Sequence, residues 1–192
     1  MQFCGECGEQ LRWQMPQGEL IERQVCAGCG HIYYDNLNVL VTCLATWQGK
    51  ALWMRRAQQP AKGLWSVPGG FTEIGESLQA SAARELFEET QVSIEPHDLK
   101  LYGVGTIIHQ NQVYVSFRTE LSSDSFGTSD EALEVALFSE DELPWGQLAY
   151  PELIPSVKNF YREMKTGSYG IYMGEYNPNN IYLENMINSL SS

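Results

Sequence analysis

The chain has 192 residues, 43% of them hydrophobic, and sets 24 acidic against 12 basic side chains for a formal charge of −12. That balance argues against a duplex nucleic-acid partner, which needs a basic footprint, and no apolar run is long enough to span a membrane. The opening Met1-Gln2-Phe3-Cys4 lacks the charged start and apolar core of a secretory signal, so the expected compartment is the cytoplasm.

Residues 1–35 read as a small separate module. Cys4 and Cys7 form one C-x2-C pair, Cys26 and Cys29 a second, with 18 residues between Cys7 and Cys26. This is the spacing of a four-cysteine zinc ribbon. Four thiolates close the coordination shell of Zn²⁺ and leave no place for water, so the expected role is structural. A reducing compartment disfavours disulfides as the alternative. Gly8 and Gly30 follow the second cysteine of each pair and let the backbone turn toward the sulfurs. So small a module builds little core, and metal binding is expected to supply most of its folding energy.

Asn38 to Trp47 reads as a strand and Gln48-Gly49-Lys50 as a hairpin turn, with Ala51 to Arg56 returning. Cys43 lies inside the first of these apolar strands, as a buried, inert thiol. A loop at 58–63 leads through Leu64-Trp65-Ser66-Val67 to Pro68-Gly69-Gly70, where the glycines permit close backbone approach to a ligand. Arg55 and Arg56 precede that loop, and a guanidinium there suits phosphate.

Ser77 is a good N-cap for a helix over 78–90. On that helix Leu78, Ala82 and Leu86 make an apolar stripe, and Glu85 and Glu89 flank it. Glu85, Glu88 and Glu89 therefore share one face near the helix C-terminus, where mutual repulsion and the macrodipole both disfavour them. A hard divalent cation, Mg²⁺ or Mn²⁺, removes both penalties.

Strands are expected at 99–108 and 112–121 around the turn at 109–111, then a loop at 122–129 and a strand at 133–138. Ser139-Glu140-Asp141-Glu142 has the composition of a helix start. Pro155 to Lys165 reads as a final amphipathic helix with its proline near the first position. The tail 166–192 is rich in Tyr, Asn and Gly; Ile181 to Leu190 could form a short helix, and its aromatics are expected to pack on the domain or on a second subunit.

The positions Gly70, Glu76, Arg84, Glu85, Leu86, Glu88, Glu89 and Val92 resemble the Nudix box, with one departure: Gln91 stands where the pattern has a glycine. That glycine normally leaves the helix at positive φ, so the departure bears on the turn and not on a ligand. The stretches Val25 to Asn36 and Gly63 to Gly70 narrow the resemblance to the Nudix subgroup that includes the plant FAD pyrophosphatase and bacterial ADP-ribose pyrophosphatases. It implies an α/β/α sandwich with a mixed sheet over residues 36–165, preceded by the ribbon at 1–35 and followed by the tail at 166–192.

The activity so implied is metal-dependent hydrolysis of a pyrophosphate bond in a nucleoside diphosphate derivative such as ADP-ribose or FAD. Glu85 and Glu89 would be the principal ligands of Mg²⁺ or Mn²⁺, and Glu88 would bind a further ion or a metal-bound water. The Gly69 carbonyl matches the family's backbone ligand, with Gly70 beside it. Arg84 would orient Glu88, and Glu76 would brace the loop against the helix. Glu134 or Glu131 could complete the site or serve as the base, and Arg56 or Arg55 could meet phosphate. The family's NADH-specific members carry a Ser-Gln-Pro-Trp-Pro-Phe-Pro-type array after the box, and this chain has none. Tyr102, Tyr114 and Tyr150 could stack a ring, although packing in the core serves equally.

The expected partners are a small nucleotide substrate and a second copy of the chain, without nucleic acid or membrane. Two other readings stay open. One is a nucleotide sensor that binds without hydrolysis, against which the three intact helix glutamates speak. The other is a ribbon-assisted RNA-processing hydrolase, for which Arg12 and Arg23 are the only basic residues between Cys4 and Tyr34.

Overall fold

The computed structural model describes residues 1–177 and 180–186, and the chain divides into two units, Met1–Leu37 and Asn38–Ser192. The first is a three-stranded antiparallel sheet of β1 (Leu11–Gln14), β2 (Arg23–Cys26) and β3 (Ile32–Tyr33) in that order. Its interior is small: Cys4, Leu11 and Cys26 are buried, and Tyr33 packs on them.

The second unit is built around β4 (Asn38–Trp47), whose length lets it pair with three partners. β5 (Lys50–Arg56) joins the end of β4 antiparallel at Thr46 and Trp47, and β7 (Gly69–Phe71) joins its start at Leu40 to Thr42. On its other edge β9 (Gln112–Glu120) runs parallel along the whole strand. The short β6 (Trp65–Ser66) pairs with β5. With β8 (Lys100–Ile107), β10 (Ala132–Phe138), β11 (Tyr172–Asn177) and β12 (Asn180–Asn185), the sheet order is β10-β5-β4-β9-β8-β11-β12.

The two-residue period of β4 splits the core. Val41, Cys43 and Ala45 face Ala82, Ala83 and Leu86 of helix α1 (Leu78–Thr90) in one apolar cluster. Leu44, with Trp53 of β5, belongs to a second cluster with Val157, Phe160 and Tyr161 of helix α2 (Ile154–Thr166). A strand covered on both faces reads as a continuous apolar run, which is the character of Val39 to Ala45. Burial drives the Cys43 thiol up to about 12, out of reach of nucleophilic chemistry. The result is the mixed-sheet α/β/α sandwich.

Two expectations are corrected. Ser139 to Glu142 forms a turn, with Glu142 Oε2 accepting from the Ser139 amide and hydroxyl at 3.0 Å each. Pro144 follows too soon for a helix to propagate, because it lacks an N–H and restricts the residue before it. In the tail, residues 181–185 of the expected helix are strand β12, paired antiparallel with β11, while 187–190 lie outside the described residues. β11 in turn runs parallel to β8, whose free edge offers backbone partners that no local pattern reveals. No helix among the described residues is long and apolar enough to cross a membrane.

Candidate active site and cysteine centre

α1 begins at Ser77, whose extended backbone (φ −79, ψ 158) lets its hydroxyl accept from the Ala80 amide at 3.1 Å. It ends at Gln91, which adopts the left-handed conformation (φ 59, ψ 13) and donates its N–H to the Phe87 carbonyl at 2.8 Å. Gln91 thus makes the turn that glycine makes more easily. Leu86 is 0% exposed and seats the helix on the sheet, so Glu85 and Glu89 beside it are carried into the interior, 8% and 5% exposed. Glu88 points outward.

Arg84 organises this face. Nε and Nη2 grip both oxygens of Glu76 at 2.8 and 3.0 Å, Nη1 reaches Glu85 Oε1 at 2.7 Å and Glu88 Oε2 at 2.9 Å, and Nη2 also donates to the Phe71 carbonyl at 3.0 Å. One guanidinium therefore ties the loop after β7 to the helix. It holds the Glu76 carboxyl down at about 2.

The glycine loop meets the carboxylates directly. A Cβ on Gly70 would lie 2.4–2.6 Å from the Glu85 carboxylate, and one on Gly69 would lie 2.2 Å from the Val41 carbonyl oxygen. Only glycines fit between β4 and the helix face. The Gly69 amide donates to Glu89 Oε2 at 2.7 Å.

Burial raises the Glu85 carboxyl, opposed by Arg84. Burial pushes Glu89 up to about 8 against the Gly69 hydrogen bond, with the charges of Glu85 and Glu131 adding and that of Arg56 opposing. Among the described residues Glu89 has no ion pair. Two buried carboxylates that resist ionisation beside a third on the same face are a hard-oxygen donor set short of positive charge, which fits Mg²⁺ or Mn²⁺.

The other expected residues are placed as follows. Glu134 faces Arg55 across the β5–β10 pairing at 3.5 Å, a half-exposed ion pair. The register shift between Ala132 and Glu134 breaks strict alternation there. The charge of Glu131 adds to the rise of both Glu85 and Glu89. Arg56 donates Nε to the Pro60 carbonyl at 2.9 Å, and its guanidinium lies 5.9 Å from the Tyr150 ring centre. Tyr102 and Tyr114 are buried: Tyr102 donates to Glu163 at 2.9 Å, and Tyr114 accepts from the Thr42 hydroxyl at 2.9 Å. Spacing did not reveal two further features, the Gln91 side chain's contact with Thr128 and the arrival of Tyr172 and Tyr176 beside Tyr102 and Tyr114.

In the first unit the four sulfurs of Cys4, Cys7, Cys26 and Cys29 lie within 4.8 Å of one another, all four as free thiols. Among the described residues this is the one group of three or more such side chains already converged. Cys4 and Cys29 are 3.7 Å apart and Cys7 and Cys26 are 3.4 Å apart. A tetrahedral zinc–thiolate shell has sulfurs roughly 3.8 Å apart, given Zn–S near 2.3 Å. Gly8 and Gly30 sit at φ 78 and 74 and donate to the Cys4 and Cys26 carbonyls, so the two knuckles turn alike. The Gly28 and Cys29 amides point at Cys26 Sγ, at 3.3 and 3.4 Å. The Tyr33 hydroxyl donates to Cys4 Sγ at 3.3 Å and lowers that thiol to about 6. These donors favour the thiolate, the form that binds metal, at Cys4 and Cys26, whereas Cys7 and Cys29, against a backbone hydrogen bond, are raised by their sulfur neighbours.

Comparison with known proteins agrees with this geometry. The family model described as NUDIX domain matches residues 36–163, and the model described as Nudix N-terminal, a zinc ribbon, matches residues 2–35. The NAD-capped RNA hydrolase NudC of Haemophilus influenzae (strain PittGG) is 28% identical over 158 residues, covering 80% of this chain and 55% of that protein. NudC of Pseudomonas aeruginosa (strain LESB58) is 30% identical over 143 residues, covering 74% and 49%. The chain spans about half the length of these curated relatives. A solved NUDIX hydrolase from Nitrosomonas europaea superposes with a TM-score of 0.85 at 36% identity, covering 92% of this chain and 99% of that one. An ADP-ribose pyrophosphatase from Streptococcus suis (TM-score 0.59, 18% identity, 72% and 99% covered) shares the fold.

Proposed function

The chain belongs to the NUDIX family, and from that premise we propose that it hydrolyses the pyrophosphate bond of a small nucleoside diphosphate derivative, with ADP-ribose, FAD and NAD as the leading substrates. The observation that carries the reading is the burial of Glu85 and Glu89 directly against Gly69 and Gly70. Glu85, Glu88 and Glu89, with the Gly69 carbonyl, would hold Mg²⁺ or Mn²⁺, and Cys4, Cys7, Cys26 and Cys29 would hold structural Zn²⁺. Bound there, the catalytic ion would neutralise pyrophosphate charge and acidify water.

The chain's own residues do the rest. Arg84 holds Glu85 and Glu88 in fixed rotamers, so little reorganisation remains at the moment of reaction. The Gly69 amide orients Glu89. Glu131, whose charge adds to the rise of Glu89, is the candidate to take the proton of the attacking water. Arg56, whose charge lowers Glu89, would meet phosphate oxygens.

A narrow gap of about 40 Å³ lies on the α2 side of the sheet. Its lining includes Tyr102, Tyr114, Tyr172 and Tyr176, and it reaches Val67, two residues before Gly69.

A small substrate is favoured over RNA. The two basic residues between Cys4 and Tyr34 are Arg12 and Arg23, and Arg23 is paired with Glu19 at 2.9 Å. The test is a panel of ADP-ribose, FAD, NAD and a 5′-NAD-capped oligonucleotide with Mg²⁺ and Mn²⁺, products resolved by chromatography. Release of AMP from a free dinucleotide or ADP-ribose supports the proposal. Turnover confined to the capped oligonucleotide transfers the function to RNA, and no turnover of any substrate removes the enzymatic reading.

A further inference from the structure

The residue that departs from the box pattern has a second contact. Gln91 Nε2 donates to the Thr128 carbonyl at 2.8 Å, and the Gly127 amide donates back to the Thr90 carbonyl at 2.8 Å. The C-terminus of α1 and the 122–129 loop are thus joined by two crossed hydrogen bonds. The fit is close: a Cβ at position 127 would lie 2.5 Å from Gln91 Oε1 and 3.0 Å from its Cδ. Phe126, next to this clamp, packs on the core cluster that includes Leu86. The clamp lies three residues before Glu131. The Glu131 amide donates to Ser129 Oγ at 3.2 Å, and its carbonyl accepts from the Ala57 amide at 2.9 Å. Ala132, 1% exposed, fixes the far end of the segment.

We propose that Gln91 is a positioning residue which, through its tie to Thr128, fixes the segment carrying Glu131 against the C-terminus of α1. A glycine at 91 would make the same helix exit with less strain, but it has no side chain to reach the loop. Retaining Gln at a left-handed position thus exchanges an easier turn for a fixed loop. The proposal deepens the hydrolase reading and rests on it for its kinetic arm alone.

The experiment uses the full chain with Gln91→Gly and Gln91→Asn, each alone and combined with Glu131→Gln. Glycine keeps the helix exit; asparagine tolerates the left-handed conformation but is one methylene too short for Thr128. With ADP-ribose and Mn²⁺, each single variant is expected to lower kcat about tenfold with KM within about twofold. In the Glu131→Gln background the same substitutions should cost less than about twofold, since residues acting as a unit are non-additive. Equal losses in both backgrounds, or no loss in either, overturn the proposal. Amide hydrogen exchange, read without substrate or metal, is the independent arm. Gln91→Gly should speed exchange at Gly127 at least about tenfold while leaving Leu86 protected. Unchanged exchange at Gly127 overturns the clamp even if the wild type hydrolyses ADP-ribose. A wild type inactive on ADP-ribose with the exchange result intact removes the substrate reading and keeps the clamp.

Discussion

The Gly69 amide and Glu89 Oε2 are 2.7 Å apart, and among the described residues this is the one hydrogen bond that the buried carboxylate receives. It joins the glycine loop to the last turn of α1. One hydrogen bond does not offset burial, so Glu89 holds its proton up to about 8.

This has a consequence for pH. The folded-state value lies above the ordinary value of 4.5, so the native state binds the extra proton. The resulting stability is fully present below pH 4.5 and is lost as pH rises toward 8. Metal-free protein should therefore lose a few kcal/mol between about pH 5 and 8. Glu89→Gln should flatten that slope in urea melts, and an unchanged slope would count against the burial of Glu89.

The same substitution should abolish most turnover. With a neutral amide at 89 the donor set loses one of its two buried carboxylates, and kcat should fall by at least about 10²-fold. Near-full rate in folded Glu89→Gln protein, judged by circular dichroism, would remove the role assigned to this residue.

Arg84→Lys tests the loop brace. Lysine keeps the charge but cannot grip both oxygens of Glu76 while reaching Glu85 and Glu88. We expect a loss of roughly 1–3 kcal/mol in denaturant midpoints and a marked fall in kcat. Wild-type stability and rate would mean that the fork geometry is dispensable.

Leu86→Ala probes the seat of the helix. The side chain is 0% exposed in the cluster with Val41, Cys43 and Ala82, and its truncation should cost about 2–5 kcal/mol. A cost under about 1 kcal/mol would show that the site collapses around the missing atoms.

Cys26→Ser should release zinc and unfold the first unit, because metal binding is expected to supply most of that unit's folding energy. Zinc content by mass spectrometry should drop to background, with hydrolysis by the second unit retained in part. Full zinc retention would contradict the four-thiolate assignment.

The elements that were legible in the sequence are those fixed by local physics. Ser77 as N-cap and the Leu78–Ala82–Leu86 stripe marked a helix at 78–90, and α1 spans Leu78–Thr90. The apolar run at 38–47 is strand β4. Composition misled at 139–142, where Pro144 outweighs acidic first-turn residues, and at 181–185, where β11 supplies strand partners. Glu134 and Glu131 could not be ranked from spacing, because the register shift that turns Glu134 to Arg55 belongs to the pairing of two distant strands.

The sequence by itself determined the donor inventory: which carboxylates share a helix face, and which four thiols pair across 18 residues. Helical period and C-x2-C spacing are short-range, so nothing distant can alter them. Only the tertiary structure decided how deeply Glu85 and Glu89 are buried, that Gln91 reaches Thr128, and that the tail tyrosines wall a narrow gap. Each of those depends on surfaces far apart in the chain meeting, which is where desolvation and close packing arise.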